Sequence, residues 1–168
     1  MPDPLALPNF SGPLYRLSLE DWNRGVEASR RSPRKRMILP VHRQQEALVQ
    51  RMFNFLQPGT YIRPHLHPRP FASESLVMLQ GSVGFLRFDE KGSVIESFVL
   101  DSTPGANVID FEPQLWHSFV VLEPDTVLFE VKRGPYDITE DKTFADWAPE
   151  EFTPEAEAYL KTMEAHFG

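Results

Sequence analysis

Sixteen prolines and nine glycines divide the chain into short segments, and this division is the strongest constraint on its fold. Proline breaks a helix and cannot donate a hydrogen bond within a central strand, so long helices are disfavoured over most of the chain. Between the breaks, residues alternate with a period of two, which is typical of strands with one buried face. The predicted strands are 49–56, 60–67, 75–80, 83–89, 94–100, 107–111, 116–122 and 126–133. About eight short antiparallel strands predict a mainly β fold, a single jelly-roll barrel.

Two helices are predicted, one near each end of the chain. Ser18 can cap a helix that runs through Trp22 toward Arg31, because its hydroxyl can accept from a free backbone N–H of the first turn. Thr153 precedes Pro154, and proline is favoured at the first helical position, where its missing N–H costs little. We therefore expect a barrel with an N-terminal helix and a C-terminal helix.

The composition predicts one globular domain. A length of 168 residues is enough to bury a core without disulfides, and the chain has no cysteine. The net charge of -7 argues against nucleic-acid binding, which needs a basic surface. The sequence has no apolar stretch of membrane-spanning length, and its start lacks the basic segment and apolar core of a signal peptide. We therefore expect a cytoplasmic protein without a membrane partner. We expect three parts in chain order. Residues 1–48 form an N-terminal extension with one helix packed on the barrel, residues 49–136 form the barrel, and residues 137–168 form an acidic segment with a helix.

Two histidines separated by one residue form the most informative chemical motif. His65 and His67 project to one face of an extended strand, so both imidazoles can reach one metal ion. Glu74 can add a carboxylate oxygen and His117 a third imidazole. This donor set suits one divalent transition metal ion per chain, with iron, manganese, nickel and zinc left open.

The order and spacing of these residues resemble the signatures of the cupin superfamily. The residues that carry the resemblance are Gly59, His65, His67, Glu74, Gly81 and His117. A narrower set of motifs resembles the WbuC family of cupin-fold metalloproteins. These motifs are Thr60–Pro68, Glu74-Ser75, Phe88–Glu90, Trp116-His117, Phe129–Lys132, Gly134–Tyr136, Asp141-Lys142 and Trp147–Glu150. The resemblance implies a small β-barrel with a metal in its mouth, in a family encoded with bacterial surface-polysaccharide genes.

Arg63 is the predicted contact for a substrate beyond the metal. It lies two residues before His65, so a regular strand would turn its guanidinium toward the metal. Its donors match a carboxylate, a phosphate or a vicinal diol, and the alternative is an arginine in a salt bridge at the strand end. With such cations beside a metal, we expect the mouth of the barrel to be locally positive and to bind an anionic or polyhydroxyl group.

Other candidate site residues lie on the strands around the predicted mouth. The resemblance places three substrate-binding candidates among the family's patterned positions, namely Arg51, Asn54 and Lys132. The candidate catalytic residues are Glu130 and Tyr136, whose alternatives are an ion pair with Lys132 and a phenol that only caps the barrel.

Three further residues are assigned no role in the site. Trp116 is expected to pack rather than to recognise a ligand. His42 and His166 are expected at the surface.

Three functions remain open on the sequence alone. The principal hypothesis is a metal-dependent enzyme of the isomerase or epimerase type, acting on a small polar substrate that is carbohydrate-derived or anionic. A mononuclear iron dioxygenase is the second, because open positions on a histidine-rich site also admit dioxygen. The third is a cupin that binds a small molecule without turnover. We also expect a homodimer, because the apolar outer faces of such a barrel need cover.

Overall fold

The computed structural model describes residues 4–168, which form two antiparallel sheets with a helix at each end of the chain. The helices are α1 (Leu19–Arg31) and α2 (Pro154–Glu164). The strands are β1 (Arg36–Pro40), β2 (Val49–Leu56), β3 (His65–Leu66), β4 (Glu74–Gln80), β5 (Ser82–Phe88), β6 (Val94–Asp101), β7 (Val108–Phe111), β8 (His117–Val121), β9 (Thr126–Arg133) and β10 (Thr143–Phe144). The hydroxyls of Ser18 and Thr153 accept backbone N–H groups at the two helix starts, which confirms both predicted helices.

The strands form a two-sheet jelly roll. One sheet has the order β1-β2-β9-β4-β7 and the other the order β10-β3-β8-β5-β6. Gly81 joins β4 to β5 with φ +71°, a left-handed conformation that favours glycine, and so carries the chain from one sheet to the other. The mainly β fold with a single barrel, expected from the period-two pattern, is confirmed.

The interior of the barrel has an apolar end and a polar end. On β9, Leu128 is fully buried in the apolar core, and Glu130 and Lys132 follow at steps of two residues on the same face. On β4, Leu76 is in the core and Glu74 lies two residues before it. Charged side chains therefore gather at one end of the barrel, above an apolar floor.

The helices cover the outer faces of the two sheets. Gly25 of α1 lies so close to the ring of Phe55 that a Cβ atom would overlap it, and Trp22 meets the same ring edge-on. Leu160 of α2 packs on the other sheet in a cluster that includes Trp116, which confirms the packing role of Trp116. Over the residues described, neither helix combines the length and apolar character needed to cross a bilayer.

Three parts of the sheets differ from the sequence prediction. β1, inside the predicted N-terminal extension, pairs with β2, and β10, inside the predicted C-terminal segment, pairs with β3. The sheets therefore extend beyond residues 49–136 and take a strand from each flanking segment. The strand predicted at 60–67 shortens to β3, because it is flanked by Pro64 and Pro68, which cannot donate to a ladder.

The apolar floor should carry much of the stability. We expect Leu128→Ala to lower the free energy of unfolding by about 2–5 kcal/mol, because the side chain is fully buried and its removal leaves a cavity. The matched control is Leu14→Ala, which changes a side chain that is 79% exposed and should stay within about 0.5 kcal/mol. Urea denaturation measures both values, and equal effects would contradict the assignment of the core.

Candidate metal site and adjoining cavity

Three buried histidines meet at the polar end of the barrel. His65 on β3 and His117 on β8 are direct partners across the antiparallel pair, and His67 follows β3. Each offers one nitrogen, and these three nitrogens lie within 4.8 Å of one another. Below them, the ring of Phe85 stacks on His117 at 5.9 Å and Phe111 lies 4.6 Å from it, between ring centroids. The group thus stands on an aromatic floor.

Backbone carbonyls fix the orientation of all three imidazoles. Nδ1 of His65 is 3.0 Å from the carbonyl of Arg63, Nδ1 of His67 is 2.7 Å from that of Asp141, and Nδ1 of His117 is 2.9 Å from that of Leu115. A carbonyl oxygen only accepts, so each Nδ1 must donate. Each Nε2 is then left to bind elsewhere, which is the arrangement that orients histidine ligands of metals.

Glu74 joins the histidines through its carboxylate. Its Oε2 lies 2.7 Å from Nε2 of His67 and 3.9 Å from Nε2 of His117. Two atoms that present only lone pairs would repel at 2.7 Å, so a proton lies between His67 and Glu74 in this arrangement. A divalent metal ion can replace that proton and accept the same lone pairs, so the donor set fits the predicted metal.

Burial favours the neutral form of two of the imidazoles, those of His65 and His117. It lowers the pKa of His117 to about 4, even though the nearby Glu74 raises it. It also lowers the pKa of His65 well below the usual range, and the charge of Lys142 adds to this effect. Neutral imidazoles are the form that binds a metal, so these two residues need lose no proton to do so at neutral pH.

A buried ionic group lies beside the histidines. Nζ of Lys132 donates to both carboxylate oxygens of Asp141 at 2.9 Å and lies 3.9 Å from Glu130. Asn54 donates to the other carboxylate oxygen of Glu130 at 2.9 Å. Burial lowers the pKa of Lys132, but Glu130 and Asp141 outweigh it, so the net shift is upward. Burial raises the pKa of Glu130, and the nearby charge of Glu74 adds to this rise.

Lys142 also belongs to this group, although sequence reasoning gave it no role. Its side chain is half-buried, and its charge acts on His65 and His117. Burial lowers its pKa, the charge of Lys132 lowers it further, and the carboxylates only partly offset this. Within residues 4–168, no carboxylate oxygen lies within 4.0 Å of its Nζ. The available signal was its place in the Asp141-Lys142 motif.

The two arginines predicted to bind substrate, Arg63 and Arg51, make their contacts outside the ionic group. Arg63 donates to the carbonyl of Ala145 at 2.8 Å, and its guanidinium lies 5.6 Å from the ring centroid of Phe144. These contacts tie Arg63 to β10 and give it a structural partner instead of an open face. Arg51 is exposed and lies on the face of β2 opposite to Asn54. The structure therefore does not bring Arg51 to the group.

A cavity of about 200 Å³ adjoins the ionic group on the side of β1 and β2. Glu130 and Lys132 form part of its wall, and Tyr136, which is 40% exposed, lies at its edge. His42 also lines it and is only 2% exposed, so the expectation that His42 is a surface residue was wrong. Nδ1 of His42 lies 2.9 Å from the carbonyl oxygen and 3.1 Å from the amide nitrogen of Arg51, and a hydrogen bond to this backbone holds the ring inside.

A larger open cleft of about 660 Å³ lies on the outside of the barrel. Its walls come from Leu66, Pro68 and residues 87–90 and 112–116. The wall residues of this cleft include none of the candidate metal ligands or other predicted site residues.

Comparison with solved structures identifies the fold. The chain is similar to oxalate oxidase in complex with the substrate analogue glycolate, with 12% identity over 82% of this chain and 75% of that chain, at a TM-score of 0.53. It is similar to the capsular polysaccharide assembling protein CapF from Staphylococcus aureus, with 16% identity over 64% and 29%, at a TM-score of 0.53. A variant of B. subtilis oxalate decarboxylase shows 21% identity over 78% and 32%, at a TM-score of 0.50. These are cupin-fold proteins, and at such identities the likeness shows the fold alone.

Other comparisons add a family but no activity. The chain spans about 30% of the length of CapF and of the decarboxylase. No curated protein matches the sequence. A family model described as a domain of unknown function, DUF6016, matches residues 17–100, which is half of the chain. This range runs from α1 to β6 and includes His65, His67 and Glu74, whereas His117 lies beyond it.

The ionic group should be essential for stability. We expect Lys132→Met to lower the free energy of unfolding by about 3–5 kcal/mol, because it leaves Asp141 and Glu130 buried without their cation. The matched control is Arg24→Met, which removes an exposed partner of Asp21 and should cost less than about 1 kcal/mol. Urea denaturation would contradict the assignment if the two variants lost similar stability.

Proposed function

We propose that this chain, which belongs to the DUF6016 family, is a metal-dependent cupin that acts on a small polar substrate at the mouth of its barrel. The observation that carries this proposal is the set of three buried histidines, each held at Nδ1 by a backbone carbonyl, which leaves Nε2 as the nitrogen that can bind a metal. The buried three-histidine group and the cupin fold fit a metal-binding cupin. We infer that His65, His67, His117 and Glu74 hold one divalent transition metal ion.

The residues beside the histidines support an enzyme that moves protons. A bound divalent metal polarises a carbonyl or hydroxyl oxygen of a substrate as a Lewis acid. Glu130 is the candidate acid and base, because it faces the cavity and burial raises its pKa. Tyr136 lies at the edge of the same cavity and is the second candidate. An isomerase or epimerase uses this combination of a polarised oxygen and a neighbouring proton carrier.

The proposed substrate is carbohydrate-derived or anionic. The resemblance to the WbuC family supports the fold, the metal and a connection with bacterial surface polysaccharides. A cytoplasmic location and a homodimer also remain predictions. Light scattering of the purified protein at micromolar concentration tests the dimer.

Oxygen dependence separates the two enzymatic alternatives. We propose turnover assays on iron-loaded protein with nucleotide sugars and hydroxy acids, with and without air. An isomerase should work equally in both conditions, whereas a dioxygenase should stop without oxygen. A lack of turnover in both conditions, with ligand binding retained, would favour a cupin that only binds its ligand.

Metal content is the first test of the site. We expect purified protein to bind about one equivalent of divalent metal, and His67→Ala to lose most of it, because three histidines and a carboxylate form one compact donor set. Plasma mass spectrometry measures the content. His166→Ala is the matched control, since His166 is an exposed histidine outside the site and its loss should leave the metal in place.

The decisive variant replaces all three site histidines by alanine. Full metal occupancy in that variant would refute the metal site. Removal of the metal from the unmodified protein should also lower its melting temperature, because a ligand that binds only the folded state stabilises it by mass action.

The second test identifies the side chain that would bind an anionic substrate. We propose that Lys142 holds this role in place of Arg63, because its charge reaches the histidines whereas Arg63 is bound to Ala145. With glycolate as the probe on metal-loaded protein, Lys142→Met should weaken binding by about tenfold or more, since hydrogen bonds to charged groups contribute on the order of 1.5–3 kcal/mol. Arg63→Met is the matched control and should change stability but not glycolate affinity. Calorimetry showing the reverse order would return the role to Arg63.

A further inference from the structure

The cavity beside the histidines is enclosed by parts of the chain that are far apart in sequence. β1 and β2 form one side, Glu130 and Lys132 of β9 form another, and Ala6 of the N-terminal arm covers it. Ala6 is fixed there by a parallel bridge to Ile38. Its volume of about 200 Å³ corresponds to roughly seven water molecules, so it has room for a small organic group.

The charged groups in the cavity wall already contact one another. The ammonium of Lys132 donates to both oxygens of Asp141 at 2.9 Å and has Glu130 at 3.9 Å. An incoming anion would have to approach two carboxylates that already share this one cation. An incoming cation would have to compete with Lys132 for the same carboxylates. The wall therefore disfavours a charged ligand of either sign.

The wall nevertheless contains hydrogen-bonding groups that suit a ligand. Nε2 of His42 is buried and has no partner within residues 4–168. The phenol of Tyr136 and the carboxyl group of Glu130 line the same space. A hydroxyl group both donates and accepts, so it can satisfy an imidazole nitrogen, a phenol and a carboxyl group alike. Met52 and Ile38 supply apolar surface between these polar groups.

We propose that this cavity binds an uncharged polyhydroxyl group, such as the unphosphorylated ring or chain of a sugar. This inference deepens the proposed function. It rests on that function in one respect, namely that the group bound in the cavity is part of the substrate. The wall residues Lys132 and Asp141 also border the histidines, because Lys132 lies directly across from Glu74 and the carbonyl of Asp141 accepts from His67. A substrate can therefore place its reacting end at the histidines and its hydroxyl-bearing end in the cavity.

The experiment uses two probes and two variants of the full chain. The probes are a panel of neutral monosaccharides and alditols, tested one by one, and glycolate as the anion. Ala6→Phe places a large ring in the cavity, and Lys142→Met removes the cation near the histidines. Leu5→Phe is the matched control, because Leu5 is 59% exposed on the same arm and does not line the cavity. Ligand-detected NMR and calorimetry measure binding, with and without added zinc.

We expect each probe to be affected by a different variant, the polyol by Ala6→Phe and glycolate by Lys142→Met. At least one neutral polyol should bind, and Ala6→Phe should weaken its binding at least tenfold while Leu5→Phe leaves its binding unchanged. Glycolate should depend on Lys142 and on zinc but not on residue 6. Polyol binding should survive removal of zinc, so a protein that binds no metal would defeat the proposed function without affecting this result. The proposal is overturned if no polyol of the panel binds, or if Ala6→Phe and Leu5→Phe bind it equally.

Discussion

The site depends on three backbone carbonyls that accept from the Nδ1 atoms of its histidines. Without them each ring could turn or change tautomer, and the three Nε2 atoms would no longer face the same point. Asp141 contributes to this arrangement twice. Its carbonyl holds His67, while its carboxylate compensates the charge of Lys132. One residue outside the predicted barrel thus connects the orientation of a metal ligand with the charge balance of the cavity.

The segment around Asp141 is held in place by contacts with the strand that carries the histidines. β10 pairs with β3, the N–H of Ala145 donates to the carbonyl of Pro64, and Arg63 donates to the carbonyl of Ala145. Arg63 is therefore joined to the segment that follows β10 through the backbone of Ala145. The consequence is that substitutions at Arg63 remove a hydrogen bond to this segment and are expected to lower stability.

Local patterns were sufficient for much of the fold and for the donor set. The period of two located most strands, and the spacing of His65, His67, Glu74 and His117 predicted the residues that the structure brings together. The same period argues against placing Arg51 and Asn54 in one site, because an odd number of steps along a strand puts them on opposite faces. β1 was missed although its residues alternate, since it lies within a basic segment. Lys142 and His42 depend on pairing between distant parts of the chain, which no local pattern reveals.

The separation in sequence of the groups that form the site has a consequence for folding. Asn54 and Glu130 are 76 positions apart, and His67 and Asp141 are 74 apart. Such contacts form late, because a long loop must close before they gain any energy, and proteins rich in them fold slowly. The orientation of His67 is therefore complete only when the segment around Asp141 has reached the sheet. A metal ion that needs all four donors would bind tightly only to the finished fold, so metal uptake would mark the last stage of folding.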